Sequence, residues 1–156
     1  MKYRLLTKEQ FESLHHEFAQ FLATQSIDAK EWKELKKDKP HVAEEEMAIF
    51  SDVVWEEVLT KTNYVAHFSK QTANLFKCND KDMQRIVVKT TKDVDLMEAS
   101  GLEWLLKNPQ DDSIEILQGN KAYAKERNAE IFDLIEKGGN ITKGEVFEFF
   151  NKLINS

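Results

Sequence analysis

The sequence predicts an α+β fold: three N-terminal helices, a three-stranded antiparallel meander, and C-terminal helices ending in an αα-hairpin. Three observations predict it. A helix-start signature recurs three times, a stretch beginning at Thr62 changes to β-branched and aromatic alternation, and apolar residues return to helical spacing after Thr91. The signature is an apolar residue, a capping residue, two spacers, Glu or Gln, and a second apolar residue. It stands at Leu6-Thr7-Lys8-Glu9-Gln10-Phe11, at Ile27-Asp28-Ala29-Lys30-Glu31-Trp32 and at Ile141-Thr142-Lys143-Gly144-Glu145-Val146. In each copy the cap oxygen can accept from the N3 amide while the Glu or Gln reaches back to the cap amide, and the apolar pair closes as a hydrophobic staple. Each cap contributes roughly 1 kcal/mol.

The first helix is expected over residues 8–24, with Phe11, Leu14, Phe18, Phe21 and Leu22 on one face. A short second helix over residues 29–38 is anchored by Trp32 and Leu35. Pro40 suits a first helical turn, where its missing N–H would be unpaired anyway, and opens a third helix to about residue 60. That helix is apolar over much of its circumference, centred on Met47, Phe50, Val54 and Val58 and widened by Ala48, Val53, Trp55 and Leu59.

The strands follow as Tyr64, Ala66, Phe68, then Leu75, Phe76, Cys78, then Ile86, Val87, Val88, with turn-forming breaks at residues 69–72 and 79–82. So small a meander needs a helix over one face. A weaker capping box at Asp95 and Glu98 leads a helix to Lys107, which Pro109 and the polar residues 110–113 end. Residues 113–118 fit either an extra strand or the start of the next helix, expected from about Asn120 to Lys137. Gly138-Gly139 stops that helix, because glycine takes the left-handed C-cap without penalty. The last helix, residues 143–155, turns back on it and presents Val146, Phe147, Phe149, Phe150, Leu153 and Ile154. No internal repeat or linker divides the chain, so residues 1–156 are expected to form a single globular domain.

Composition narrows the function. The lone Cys78 has no disulfide partner and no companion for a zinc or CxxC site, which points to a reducing compartment and a structural thiol. Residues 1–6 run into Lys8, Glu9 and Glu12 with no apolar segment behind them, so no secretory signal is expected. Unbroken apolar runs fall far short of the roughly 18 residues that cross a bilayer, and the expected location is the cytoplasm. The net charge of −6 disfavours generic binding to nucleic acid or anionic lipid. Charge is nevertheless blocked: +1 over residues 1–40, −6 over 41–60, +5 over 61–92, −6 over 93–120 and zero over 121–156. The basic meander either lies against acidic helices or turns some lysines outward as a strip for phosphate or an acidic partner. A stacking platform for nucleic acid further requires Tyr64, Phe68 and Phe76 to be exposed on adjacent strands.

Candidate chemistry is sparse. Glu45, Asp52 and Glu56 share a stripe at helical spacing, and the like-charged Asp52–Glu56 pair calls for a cation, either a metal or meander lysines. Glu12-x-x-His15 is half of a di-iron motif, but no second half is present, so His15 is expected as a packed residue at the edge of the apolar face. His67 has neither a nucleophile nor an orienting acid that can be named, and stands as a structural residue. Glycine-rich phosphate loops, nucleophile elbows, HExxH and calcium loops are absent. A helix-turn-helix reading of the C-terminal hairpin fails because its second helix is dominated by phenylalanines and lacks donors. No catalytic, cofactor or metal residue is assigned.

The opening Met1-Lys2-Tyr3-Arg4-Leu5-Leu6-Thr7-Lys8-Glu9, the Ile27-Asp28-Ala29-x-x-Trp32 continuation and the late Glu130-Ile131-Phe132-x-Leu134-Ile135 with Gly138 resemble a family of small bacterial proteins of about this length with no known function. The resemblance covers nearly the whole chain and implies no activity.

The function expected from these features is a non-enzymatic cytoplasmic protein-interaction module. Phe147, Phe150 and Ile154 belong to a last helix apolar on more than one side, and such a helix is either sandwiched or binds something. The partner is then another protein or a second copy of the chain, without a membrane. Nucleic-acid binding through Lys70, Lys77, Arg85 and Lys89 is one alternative, and a small metal-dependent enzyme is another.

Overall fold

The capping chemistry of the first helix start forms in full. In the computed structural model, which describes residues 1–156, Gln10 N–H donates to Thr7 Oγ1 (3.2 Å) and Thr7 N–H to Gln10 Oε1 (2.8 Å). At the second start only one half forms, with Glu31 N–H donating to Asp28 Oδ1 (2.8 Å). These starts open α1 (Lys8–Ser13) and α3 (Ala29–Asp38), which with α2 (His15–Thr24) and α4 (Pro40–Lys61) build the first of two compact units, Met1–Thr60 and Lys61–Ser156.

The single helix expected over residues 8–24 is two. Leu14, at φ −106° and ψ 24°, leaves helical geometry, although Leu14 N–H still bonds Gln10 O and Phe18 N–H bonds Leu14 O across the kink. Phe18 is the centre of the packing, with ring centroids 5.4 Å from Phe11, 5.1 Å from Trp32 and 5.0 Å from the buried Phe50. The buried stripe of α4 is Ala43, Phe50, Ser51, Trp55 and Leu59, so the expected centre on Val54 and Val58 is displaced and Ile49, Val53 and Val58 are exposed. The N-terminal segment is the cause. Asp52 accepts from Lys2 N–H (2.6 Å) and Tyr3 N–H (2.9 Å), Ser51 Oγ accepts from Leu6 N–H (3.1 Å), and Leu6 is buried. Arg4 covers the Trp55 ring at 4.9 Å.

In the second unit the sheet has five antiparallel strands rather than three, ordered β4-β3-β2-β1-β5. The expected meander is present as β1 (Tyr64–Phe68), β2 (Thr72–Cys78) and β3 (Asp82–Thr90). After α5 (Ala99–Lys107), the ambiguous stretch is an edge strand, β4 (Ile114–Ala122), so α6 (Arg127–Glu136) starts seven residues later than expected. The C-terminal αα-hairpin is also corrected, because β5 (Asn140–Thr142) intervenes before α7 (Glu145–Ile154) and pairs with β1. Thr142 is therefore a strand residue. Gly144 caps α7 instead, at φ +84°, where an added Cβ would lie 2.5 Å from the Tyr64 ring. Gly138 and Gly139 end α6 as expected, in a Schellman motif with Gly138 N–H on Ile135 O and Gly139 N–H on Leu134 O.

Register sorts the side chains onto two faces. Ala66 faces Leu75, Leu75 faces Ile86, and Ala73 faces Val88; this face carries the core, closed by Leu96, Leu105, Phe147 and Phe150. The other face carries Val65 opposite Phe76, His67 opposite Asn74, and Phe76 opposite Arg85. Phe150 is fully buried, whereas its neighbour Phe149 is 37% exposed. Phe150→Ala is expected to cost about 3–5 kcal/mol of unfolding free energy in urea titrations, and Phe149→Ala no more than about 1 kcal/mol.

Candidate functional site

The second sheet face is only partly covered. At one end Val65, Cys78 and Met83 are buried, and the rest of the face opens as a groove of about 520 Å³. Its apolar floor includes Val65, Phe76 and Met83, with Leu134 of α6 as a wall. Its polar lining is His67, Asn74, Arg85, Asn120, Lys121 and Lys137, and no Asp or Glu lines it. Arg85 donates to Asn74 Oδ1 (2.6 Å) and its guanidinium lies 5.4 Å from the Phe76 ring centroid, so the cation is held over the floor. Neither Arg85 nor Lys137 is engaged by a carboxylate of the chain. Lys121 is tethered to the buried Glu130, whose Oε1 it meets at 3.4 Å.

The α6 wall is positioned by Arg127, the first residue of that helix. Its guanidinium donates to the carbonyls of Thr62, Cys78 (3.1 Å) and Asn79 (3.2 Å), and to Asn128 Oδ1 (2.9 Å). Tyr123 Oη donates to the same Asn79 carbonyl at 2.7 Å. At the other end of α6 the backbone is pressed to the sheet. A Cβ on Gly139 would approach Val65 Cγ1 to 2.7 Å, and one on Gly138, at φ +106°, would approach His67 Nε2 to 3.2 Å.

The structure disperses the residues singled out from sequence. Arg85 lines the groove, and Lys89 lies on the same face four residues along β3. Lys77 projects from the opposite face, where it meets Glu148 at 3.6 Å and covers the Tyr64 ring at 5.9 Å. Lys70 sits between β1 and β2, 3.5 Å from Asp93. Phe147 and Phe150 are core residues and Ile154 packs against that core. Tyr64 and Phe68 pack on the core face while Phe76 lies on the other, so the three aromatics do not form one stacking platform. Sequence reasoning missed His67, Phe76, Lys121 and Lys137 as neighbours, because the pairing of His67 with Asn74 and of Phe76 with Arg85 follows from the register between strands.

The acidic stripe on α4 has a cation in Lys2, whose Nζ lies 3.3 Å from Glu56, with Tyr3 Oη donating to the same carboxylate (2.5 Å). His15 is exposed rather than packed, its Nδ1 donating to the Glu12 carbonyl (3.0 Å) and its ring centroid 4.2 Å from that of His16, tilted by 34°. No three His, Cys, Asp or Glu side chains converge on a metal position. No helix is long and apolar enough to cross a membrane.

DUF6495, a family of unknown function, matches the chain over residues 1–155. The chain belongs to that family. No curated protein and no solved structure matches it. The groove must therefore be interpreted from its own chemistry.

Behind the groove, burial pushes the Cys78 thiol up to about 11, against the pull of the Arg127 charge, and burial pushes Tyr123 up to about 12. In the first unit burial, followed by the Glu56 carboxylate, raises Tyr3 to about 12. The folded chain holds these protons above the pH at which the unfolded chain releases them, ordinarily 9.0 for the thiol and 10.0 for the phenols. Their contribution to stability is thus complete below about pH 9 and is lost as pH rises through 11 to 12. Urea midpoints are expected to fall between pH 8 and pH 10.5, less steeply in Cys78→Ala than in the parent, and Cys78 is expected to react with a thiol reagent far more slowly folded than unfolded.

Arg127→Lys is expected to lower stability by about 2–3 kcal/mol in urea titrations, because one ammonium cannot span the carbonyls that the planar guanidinium gathers.

Proposed function

We propose that this chain is a non-enzymatic cytoplasmic protein-interaction module whose groove takes an extended acidic segment of a partner protein. One observation carries the reading: a carboxylate-free, cationic groove with an aromatic floor on a chain of net charge −6. Cations are segregated here rather than abundant, since Lys61–Ser156 holds 14 Lys and Arg against 15 Asp and Glu. An acidic segment with alternating apolar side chains matches both parts, placing carboxylates against Arg85 and Lys137 and an apolar group over Phe76. Phe76 is the only Phe, Tyr or Trp that lines the groove, so a single strand of nucleic acid finds no run of rings on which successive bases can stack.

A synthetic hexapeptide of alternating glutamate and leucine, titrated into the isotope-labelled full chain, is expected to shift the amide signals of Phe76, Arg85 and Lys137. Arg85→Glu is expected to weaken that binding at least about tenfold by removing one favourable charge contact and adding a repulsive one. Absence of shifts at the groove overturns the reading. Tighter, steeply salt-dependent binding of oligothymidylate at the same amides replaces it with the nucleic-acid alternative.

A further inference from the structure

β4 is the outermost strand of the sheet, paired with β3 on one side and with nothing on the other. The ladder's phase is readable from the bond just past its end, where Thr91 N–H donates to Ser113 O at 3.1 Å. Thr91 and Ser113 continue the pairing in which Thr90 faces Ile114, so the odd-numbered residues of β4 aim their backbone groups at β3. The even-numbered residues aim theirs outward. Ile114 N–H is already used, donating to Asp111 O (3.0 Å), but the outward groups of Ile116, Gln118 and Asn120 have no partner in the chain. Residues 117–122 are exposed throughout.

Edge strands are ordinarily blunted by shortness, charged side chains, proline or a bulge, and the charges of β4 are Glu115 and Lys121 alone. The opposite edge, β5, is three residues long, whereas β4 has nine residues, no proline and an unbroken register along β3. Something is expected to cover such an edge.

We propose that a second copy of this chain covers it, its β4 pairing antiparallel with this β4 about a two-fold axis through Gln118. The strand is self-complementary in that register. Glu115 lies opposite Lys121 of the other copy, and Leu117 opposite its Gly119. Both are non-hydrogen-bonded pairs, the positions where facing side chains come closest. Leu117 is 45% exposed, and a Cβ built on Gly119 meets nothing within 4 Å, so each leucine has an empty place to fill. Shifting the axis to Leu117 or Gly119 sets Glu115 against a glycine or a tyrosine and loses the charge match. Ile116, Gln118 and Asn120 supply roughly six interchain hydrogen bonds, and the two sheets become one. The axis is perpendicular to the sheet, so both grooves open on the same side, with Gly119 and Lys121 of each groove beside the seam.

Sedimentation velocity of the full chain across micromolar to millimolar concentrations tests the proposal. A reversible dimer of the 18.2 kDa chain is expected. Gln118→Pro deletes an outward N–H while leaving the bonds to β3 intact, and is expected to weaken dimerisation at least about tenfold with unchanged circular dichroism. Lys121→Glu, which sets Glu opposite Glu115, is expected to weaken it as well, and Glu115→Lys combined with Lys121→Glu to restore it. The combined variant still lacks the Lys121–Glu130 contact, so its recovery isolates the pair across the seam. A chain that stays monomeric at all concentrations overturns the proposal, as does a dimer indifferent to Gln118→Pro and to the charge exchange.

Discussion

The second unit depends on one guanidinium. Arg127 gathers the carbonyls of Thr62, Cys78 and Asn79, which belong to the approach to β1, the end of β2 and the turn beyond it. Those oxygens come from segments where ladder pairing ends; Asn79 O has a second donor in Tyr123, but Thr62 O and Cys78 O are met by the guanidinium. A planar cation with five donors is suited to three divergent acceptors in a way that an ammonium is not. By closing these ends, Arg127 also sets where α6 begins and therefore how far it extends over the sheet.

The groove is a consequence of that placement. α6 spans ten residues and covers the Val65, Cys78 and Met83 end of its face, leaving the end with Asn74, Arg85 and Lys89 open. On the opposite face Phe147 and Phe150 of α7 and Leu105 of α5 fill most of the space, and the recess beside Phe68, Val146 and Phe147 is smaller, about 190 Å³. One sheet thus divides its work by parity: residues in register with Leu75 and Ile86 carry the core, and on the face of Phe76 and Arg85 only the Val65, Cys78 and Met83 end is buried while the rest lines the groove. The dispersal of the basic meander follows from the same rule. Lys77 and Arg85 are close in sequence count but opposite in parity with respect to their registered neighbours, so one is neutralised against Glu148 and the other lines the groove.

The elements that sequence left ambiguous or missed share a physical cause. In β4 the residues after Leu117 are polar on both faces, because an edge strand with solvent on both sides carries no period-two apolar signal. β5 is three residues whose pairing with β1 is wholly non-local, and Ile141-Thr142 there carries the same letters as a staple and cap. The helix-start chemistry was satisfied locally at Thr7 and in part at Asp28, where no competing strand lay nearby, and lost at Thr142, where the edge of β1 offered backbone partners. The exposed side of α4 was equally invisible, since the segment that covers Ser51 and Trp55 comes from residues 1–6.

What the sequence determined alone is the local alphabet of the fold: the α+β class, the Thr7 cap, the three central strands and their turns, the diglycine stop and the phenylalanines of the last helix. These depend on hydrogen bonds and periodicities within a few residues, which any chain with this spelling carries. The tertiary structure decided which lysines share a face, which edges of the sheet remain open and where a groove is left between α6 and β3. Those outcomes depend on register and on contacts between residues as far apart as Thr62 and Arg127, and no local spacing encodes them.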